Sequence, residues 1–165
     1  MLFERIFKEL NANNVNYIVI GGIAVNLHGF NRATADLDIV VSLKDDELAK
    51  FVTVVKKMGM IPRVPVKIED LADQKKRSEW INEKNMLVFT VYHPQNSTES
   101  IDVMIDNAER FDGFLSRKVL MKVGEVDIPV ISIPDLIYLK EKAGRGRDMI
   151  DVQALRKILE LENEK

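Results

Sequence analysis

The chain contains no cysteine, which excludes disulfides and thiolate zinc sites and matches the usage of a reducing compartment. It also lacks any stretch approaching the roughly 20 consecutive apolar residues that a membrane span needs, so no membrane partner is expected. The opening "MLFERIFKEL" mixes charges with apolar residues at helical spacing and does not read as a secretory leader. These absences set the expectation of a cytoplasmic protein. No internal repeat and no low-complexity segment occurs. A strong excess of one charge is missing too: the formal net charge is −2, whereas proteins that bind chiefly by neutralising phosphates are usually basic. Bulk charge therefore points to no nucleic-acid partner, and only "KKRSEW" and "KEKAGRGR" offer local basic patches. The 2 histidines are His28, before Gly29 at a helix end, and His93, before Pro94 at a strand end. They lie too far apart to make a zinc motif.

What is present is a core and a patterned surface. Apolar residues make up 46% and charged residues 30% of 165, which fits one domain over 1–165 with a helical C-terminal part at about 133–165. Leu2, Phe3, Ile6, Phe7 and Leu10 recur at helical steps. "VNYIVI" is a buried strand by its β-branched content, broken by Gly21 and Gly22. "IAVNLH" gives a short helix closed by Gly29, and "DLDIVVS" is a second strand. "DDELAKFVTVVKKMG" has acids first, lysines last and then glycine, the order a helix dipole favours. A polar helix is expected from about Ile68 to Glu83. "MLVFTVYH" and "ESIDVMID" form a hairpin across "PQNST", "NAERFDGFLSR" is helical, and "VLMKVGEVDIPVIS" holds two short strands around Gly124. Two helices joined at "GRGR" close the chain. The result is an α+β pattern: a mixed β-sheet of at least four strands flanked by helices, with C-terminal helices.

Candidate chemistry sits at strand ends. Asp36 and Asp38 are two apart on a strand and project to one side, while Leu37 and Ile39 face the other. Adjacent carboxylates repel unless a cation lies between them, and Mg²⁺ prefers oxygen ligands, taking one or two carboxylates plus substrate phosphates. Asp102, flanked by Ile101 and Val103, completes a triad if its strand lies beside that of Asp36. Asp106 lies further along. Ahead of the acids, Gly21 and Gly22 let a phosphate approach the backbone, and Arg32 and Thr34 supply a cation and a hydroxyl suited to its oxygens. Arg32 could equally serve as a structural ion-pair partner of the acids, and a lone Asp-x-Asp is often no more than a polar strand end. Trp80 either stacks a base or anchors its helix to the core.

"GGIAVNLHGFNRATADLDIVV" resembles the signature of the nucleotidyltransferase superfamily, with its polymerase-β-like fold, and specifically the compact bacterial branch related to AbiEii-type toxins. The resemblance continues through "EKNMLVFTVYHP", "SIDVMID" and "ISIPDLIYLKEKAGRGRDMIDVQAL". It implies a nucleotidyltransferase that moves a nucleoside monophosphate from an NTP to a hydroxyl on RNA, protein or a small molecule, releasing pyrophosphate. Gly21 and Gly22 would lie under the triphosphate, Asp36 and Asp38 would ligate Mg²⁺ or Mn²⁺, and Asp102 would be the third carboxylate, as ligand or general base. Relatives often carry serine where this chain has Gly22, so only backbone N–H groups are expected to remain there for the terminal phosphate. Lys140 would stand near the phosphates. Arg145, Arg147 and Asp148 are further candidates or simply an interhelical turn. Two rivals remain: a non-catalytic or protein-modifying module paired with a cognate toxin or antitoxin through the polar helix around residues 74–83 or the C-terminal helices, and a metal-dependent hydrolase or nuclease using the same acids.

Overall fold

The computed structural model describes residues 3–106 and 108–165; Leu2 and Asn107, both assigned to helices by their pattern, lie outside them. A seven-stranded mixed sheet runs through the molecule in the order β3-β4-β5-β2-β1-β7-β6. Its centre is β1 (Tyr17–Ile20) beside β2 (Leu37–Val41), with β5 (Asn96–Met104) on the far side of β2. β1 and β2 are antiparallel, whereas β2 and β5 are parallel with Asp38 opposite Asp102. All four residues of β1 are buried, because helices cover both faces of the sheet there.

The expected hairpin forms between β4 (Val88–His93) and β5, with Thr90 opposite Asp102 and a register shift at Tyr92/His93. β6 (Val119–Val123) and β7 (Val126–Val130) turn at Gly124 and join the other side through the parallel pairing of Val19 with Val130. Ile61–Pro62 adds a two-residue edge strand, β3, too short to carry a periodic signal.

Helix α1 (Glu4–Ala12) buries Ile6, Phe7 and Leu10. Helix α2 (Gly21–Leu27) starts directly from β1, so the glycine pair is its first turn, and His28 closes it with Nε2 2.7 Å from the Ile131 carbonyl. Helix α3 (Asp45–Lys57) has the predicted order of acids and lysines. The single polar helix expected from Ile68 to Glu83 is in fact two pieces. A 3₁₀ turn at Ile68–Ala72 precedes α4 (Gln74–Lys84), because the Asp73 carboxylate accepts from the Lys75 and Lys76 N–H groups and caps a fresh start. Trp80 is buried and stacks on Phe89 with centroids 5.4 Å apart, so it anchors α4 to the sheet. The "NAERFDGFLSR" helix is likewise divided, into a 3₁₀ turn at Ala108–Arg110 and α5 (Phe111–Ser116).

Helix α6 (Ile133–Ala143) opens on Ser132, whose Oγ accepts from the Asp135 N–H, and closes on Gly144 at φ +66°. Helix α7 (Gly146–Asn163) docks by a stripe of Asp148, Asp151, Val152 and Leu155. Two carboxylates in a docking stripe require cations opposite them, and α6 and the β1–β2 connection provide them. No helix among the described residues is long and apolar enough to cross a membrane.

Candidate active site

A cleft of about 920 Å³ opens where α2, β2, β5 and α6 meet, and the sequence candidates line it: Gly21, Gly22, Arg32, Thr34, Asp36, Asp38, Asp102 and Lys140. Its acidic wall follows from strand register. Residues paired across neighbouring strands share a face, so the Asp38–Asp102 partnership sets both carboxylates on the cleft side. Leu37, Ile39, Ile101 and Val103 are buried on the other. Asp36 sits just ahead of β2 and is exposed. Asp106 lies past the end of β5 and pairs with Lys142 at 3.7 Å, outside this group.

Asp38 bears the electrostatic load. Burial, reinforced by the charges of Asp102 and Asp36, pushes its carboxyl up to about 6, while Lys140 and the Gly22 N–H act the other way. The carboxylate is pressed against the glycine turn: a Cβ added at Gly21, whose φ is +65°, would stand 2.1 Å from Asp38 Oδ2. Only glycine fits there. Asp102, which also lines the cleft, is held differently, with Oδ1 accepting a 2.7 Å hydrogen bond from the Thr90 hydroxyl. Thr90 was not among the sequence candidates. Its position opposite Asp102 emerges only from the hairpin register.

At Gly22 the backbone N–H acts on the Asp38 carboxylate. A Cβ at Gly22 would lie 2.6 Å from Thr34 Oγ1 and 2.8 Å from Arg32 Nη2. Those two side chains fill the space over the turn.

The cationic wall is also more constrained than expected. Arg32 pairs with neither Asp36 nor Asp38. Its Nε lies 3.0 Å from Asp151 Oδ1, while its backbone N–H donates to Asn26 Oδ1 and its Nη1 to the Ala33 carbonyl. Lys140 lines the cleft but is buried, with Nζ 2.8 Å from Asp151 Oδ2 and 3.2 Å from Asp148 Oδ1. Burial works to raise the Asp148 carboxyl, yet hydrogen bonds from Arg145 and Lys140 outweigh it and hold the group below the usual carboxylate range. Arg145 donates from Nε to Asp148 Oδ2 at 2.8 Å, and its guanidinium is correspondingly more basic than usual. Arg147 reaches the cleft mouth and is exposed. Asp151 escaped the sequence reading because "DMIDVQAL" looks like an ordinary amphipathic turn.

An all-oxygen donor set whose central member resists ionisation suits a hard divalent cation. Among the described residues, however, no three acidic or histidine side chains are already drawn together tightly enough to hold an ion. The donor chemistry of the three carboxylates lining the cleft fits such a cation.

Residues 1–164 match the family described as nucleotidyltransferase of unknown function (DUF6036). The chain belongs to that family. No curated protein sequence matches it. Its fold is shared with solved nucleotidyltransferases. A lincosamide antibiotic adenylyltransferase with lincomycin bound superimposes with TM-score 0.62 at 17% identity, covering 95% of this chain and 96% of that one. ANT(2″)-Ia in complex with adenylyl-2″-tobramycin gives 0.61 at 14% identity, covering 98% and 90%. An antigenic nucleotidyltransferase-like protein from Paracoccidioides brasiliensis gives 0.59 at 12% identity, covering 95% of this chain and 73% of that one. At these identities the likeness concerns the fold. Family membership and fold agree with the superfamily resemblance in the sequence and leave its AbiEii-type branch unaddressed.

Proposed function

We propose that the protein transfers a nucleoside monophosphate from an NTP to a hydroxyl acceptor, with release of pyrophosphate. The observation that carries this reading is the parallel β2–β5 register, which sets Asp38 beside Asp102 on the face that opens under the Gly21–Gly22 turn. Asp36, Asp38 and Asp102 would hold Mg²⁺ or Mn²⁺, which supplies Lewis-acid stabilisation of the phosphates and acidifies the acceptor hydroxyl. Arg32 and Thr34 would grip phosphate oxygens over the glycine turn. Asp102, with Oδ1 occupied by Thr90, would accept the acceptor's proton on its other oxygen. The acceptor oxygen then bonds to the α-phosphorus as the bond from that phosphorus to the bridging oxygen breaks. Positioning and charge neutralisation account for most of the rate in such transfers.

Both antibiotic-related neighbours have small-molecule ligands in their structures, which supports a small hydroxyl compound as the first acceptor class to try. The apolar side of the cleft, Val88, Met104, Leu136 and Leu139, would accommodate the less polar part of a substrate. Asp36→Asn and Asp38→Asn are expected to abolish metal-dependent label transfer from α-labelled NTP while the fold persists. Near-wild-type labelling by either variant would refute the assignment.

One observation favours a second reading. Lys140 and Arg32 are already paired with buried acids, as suits an AbiEii-like partner module of a toxin–antitoxin pair that binds nucleotide without turnover. Calorimetry with NTP and Mg²⁺, run beside the transfer assay, separates them: that module shows binding and no transfer to any acceptor.

A further inference from the structure

The buried polar centre between α6, α7 and the β1–β2 connection is larger than docking two helices requires. Asp151 is 1% exposed and touches two cations from different parts of the chain, Lys140 of α6 and Arg32 ahead of β2. Its two oxygens are used unequally. Oδ2 accepts a 2.8 Å hydrogen bond from Lys140 Nζ. Oδ1 stands 3.0 Å from Arg32 Nε, yet neither atom has an aligned hydrogen bond although both are buried. The pair is therefore held by charge and not by a directed bond. Two polar atoms left in that state cost stability unless the arrangement serves something else. The far end of the same guanidinium shows what it serves, because Nη2 lies in the space above Gly22, 2.8 Å from where a Cβ would be.

We propose that Asp151 is a positioning residue for the triphosphate site, acting through Arg32. The inference rests on the nucleotidyl-transfer reading of the cleft. Asp151 touches no phosphate itself. It holds the Nε edge of Arg32 so that the Nη edge faces the glycine turn and, beside Thr34 Oγ1, presents donors to an anion. A flexible arginine without that counter-charge would sample many rotamers and lose side-chain entropy on each binding event. Lys140 does not depend on Asp151 alone, since Asp148 also holds it at 3.2 Å. The arrangement ties the C-terminal helix to nucleotide binding although α7 contributes no acid to the β2–β5 pair.

The test is a double-mutant cycle on the full chain, read as Kd by calorimetry for the four NTPs and for inorganic tripolyphosphate with Mg²⁺, with melting temperature recorded for every variant. Arg32→Ala and Asp151→Asn are each expected to weaken binding by about 10-fold, the scale of one charge-assisted hydrogen bond. Because both act through one side chain, Arg32→Ala/Asp151→Asn should bind within about 2-fold of Arg32→Ala alone. A merely structural Asp151 would lower the melting temperature of Asp151→Asn and leave the Kd of its folded fraction at the wild-type value. If Asp151→Asn fails to fold, Asp151→Glu takes its place, because it keeps a counter-charge for Lys140 while moving the carboxylate by one methylene relative to Arg32 Nε, and about 10-fold weaker binding is again expected. Multiplying effects in the double variant, or wild-type affinity in the folded single variant at 151, would overturn the proposal. A wild-type chain that binds neither NTP nor tripolyphosphate would overturn the reading of the cleft itself, and this result is distinct from a loss confined to the variants.

Discussion

In the metal-free chain Asp38 gives up its proton only near pH 6, because burial and the Asp102 and Asp36 carboxylates all oppose its charge. The ordinary value is 3.8, so between about pH 4 and about pH 6 the folded chain binds more protons than the unfolded chain, and stability falls as pH rises through that window. Asp38→Asn is therefore expected to be more stable than wild type at pH 8 without metal, by about 1–3 kcal/mol. The difference should close below about pH 4, where wild-type Asp38 is protonated in both states. Thermal melts in EDTA at several pH values check this, and equal melting temperatures at pH 8 would contradict it. The glycines beside it make the opposite prediction. Gly21→Ala should cost at least about 1–2 kcal/mol from the left-handed backbone alone, and it also collides with Asp38 Oδ2. Gly22→Ser, which supplies the hydroxyl often found in relatives, should weaken NTP binding here by displacing Thr34 and Arg32; tighter binding on calorimetry would contradict this. The face of Asp38, opposite to that of Leu37, could be read from a strand's period of two, as could that of Asp102 between Ile101 and Val103, whereas Asp36 lies just ahead of β2, where that period does not apply. Thr90 and Asp151 were not legible in the sequence, since each gains its meaning from a partner far along the chain.

At the scale of elements, α4 illustrates how packing decides between readings of one residue. Trp80 could have been a base platform, but it stacks on Phe89 beneath the helix and is buried. Trp80→Ala should destabilise the fold by about 3–5 kcal/mol, as large aromatic deletions do, while the folded fraction keeps its NTP affinity. A urea titration and a binding isotherm on the same sample check both halves, and weakened binding with unchanged stability would return Trp80 to the nucleotide. Most elements were readable in advance. Helix α3 announces both ends through Asp45, Asp46 and Glu47 at the start and Lys56 and Lys57 before Gly59, and the β4–β5 hairpin through its turn-rich link. The break between the 3₁₀ turn and α4 was hidden because Asp73 looks like any polar helix residue until its carboxylate is seen capping Lys75 and Lys76. No local pattern marks the docking stripe of helix α7, because it contains Asp148 and Asp151, whose burial depends on cations supplied by other elements.

For the whole molecule, the decisive fact is the sheet order. β5 returns from a long excursion through α3, α4 and the hairpin to lie parallel to β2, and no local pattern specifies that neighbour. The mixed α+β class was legible, but the seven-strand order β3-β4-β5-β2-β1-β7-β6 was not. The order converts two separate aspartate motifs into one acidic wall facing Arg32, Thr34 and the glycine turn. If that wall holds a metal and a nucleotide, binding must be linked: the cation should bind weakly alone and NTP should require it. The most direct measurement is calorimetric titration of each NTP into the wild-type chain and into Asp102→Asn, with Mg²⁺ and with EDTA. The expected result is at least one NTP bound by the wild type with Mg²⁺, with affinity falling by about 10-fold or more in EDTA or in Asp102→Asn. Equal affinity with and without Mg²⁺, or undiminished Mg²⁺-dependent binding by Asp102→Asn, would contradict it.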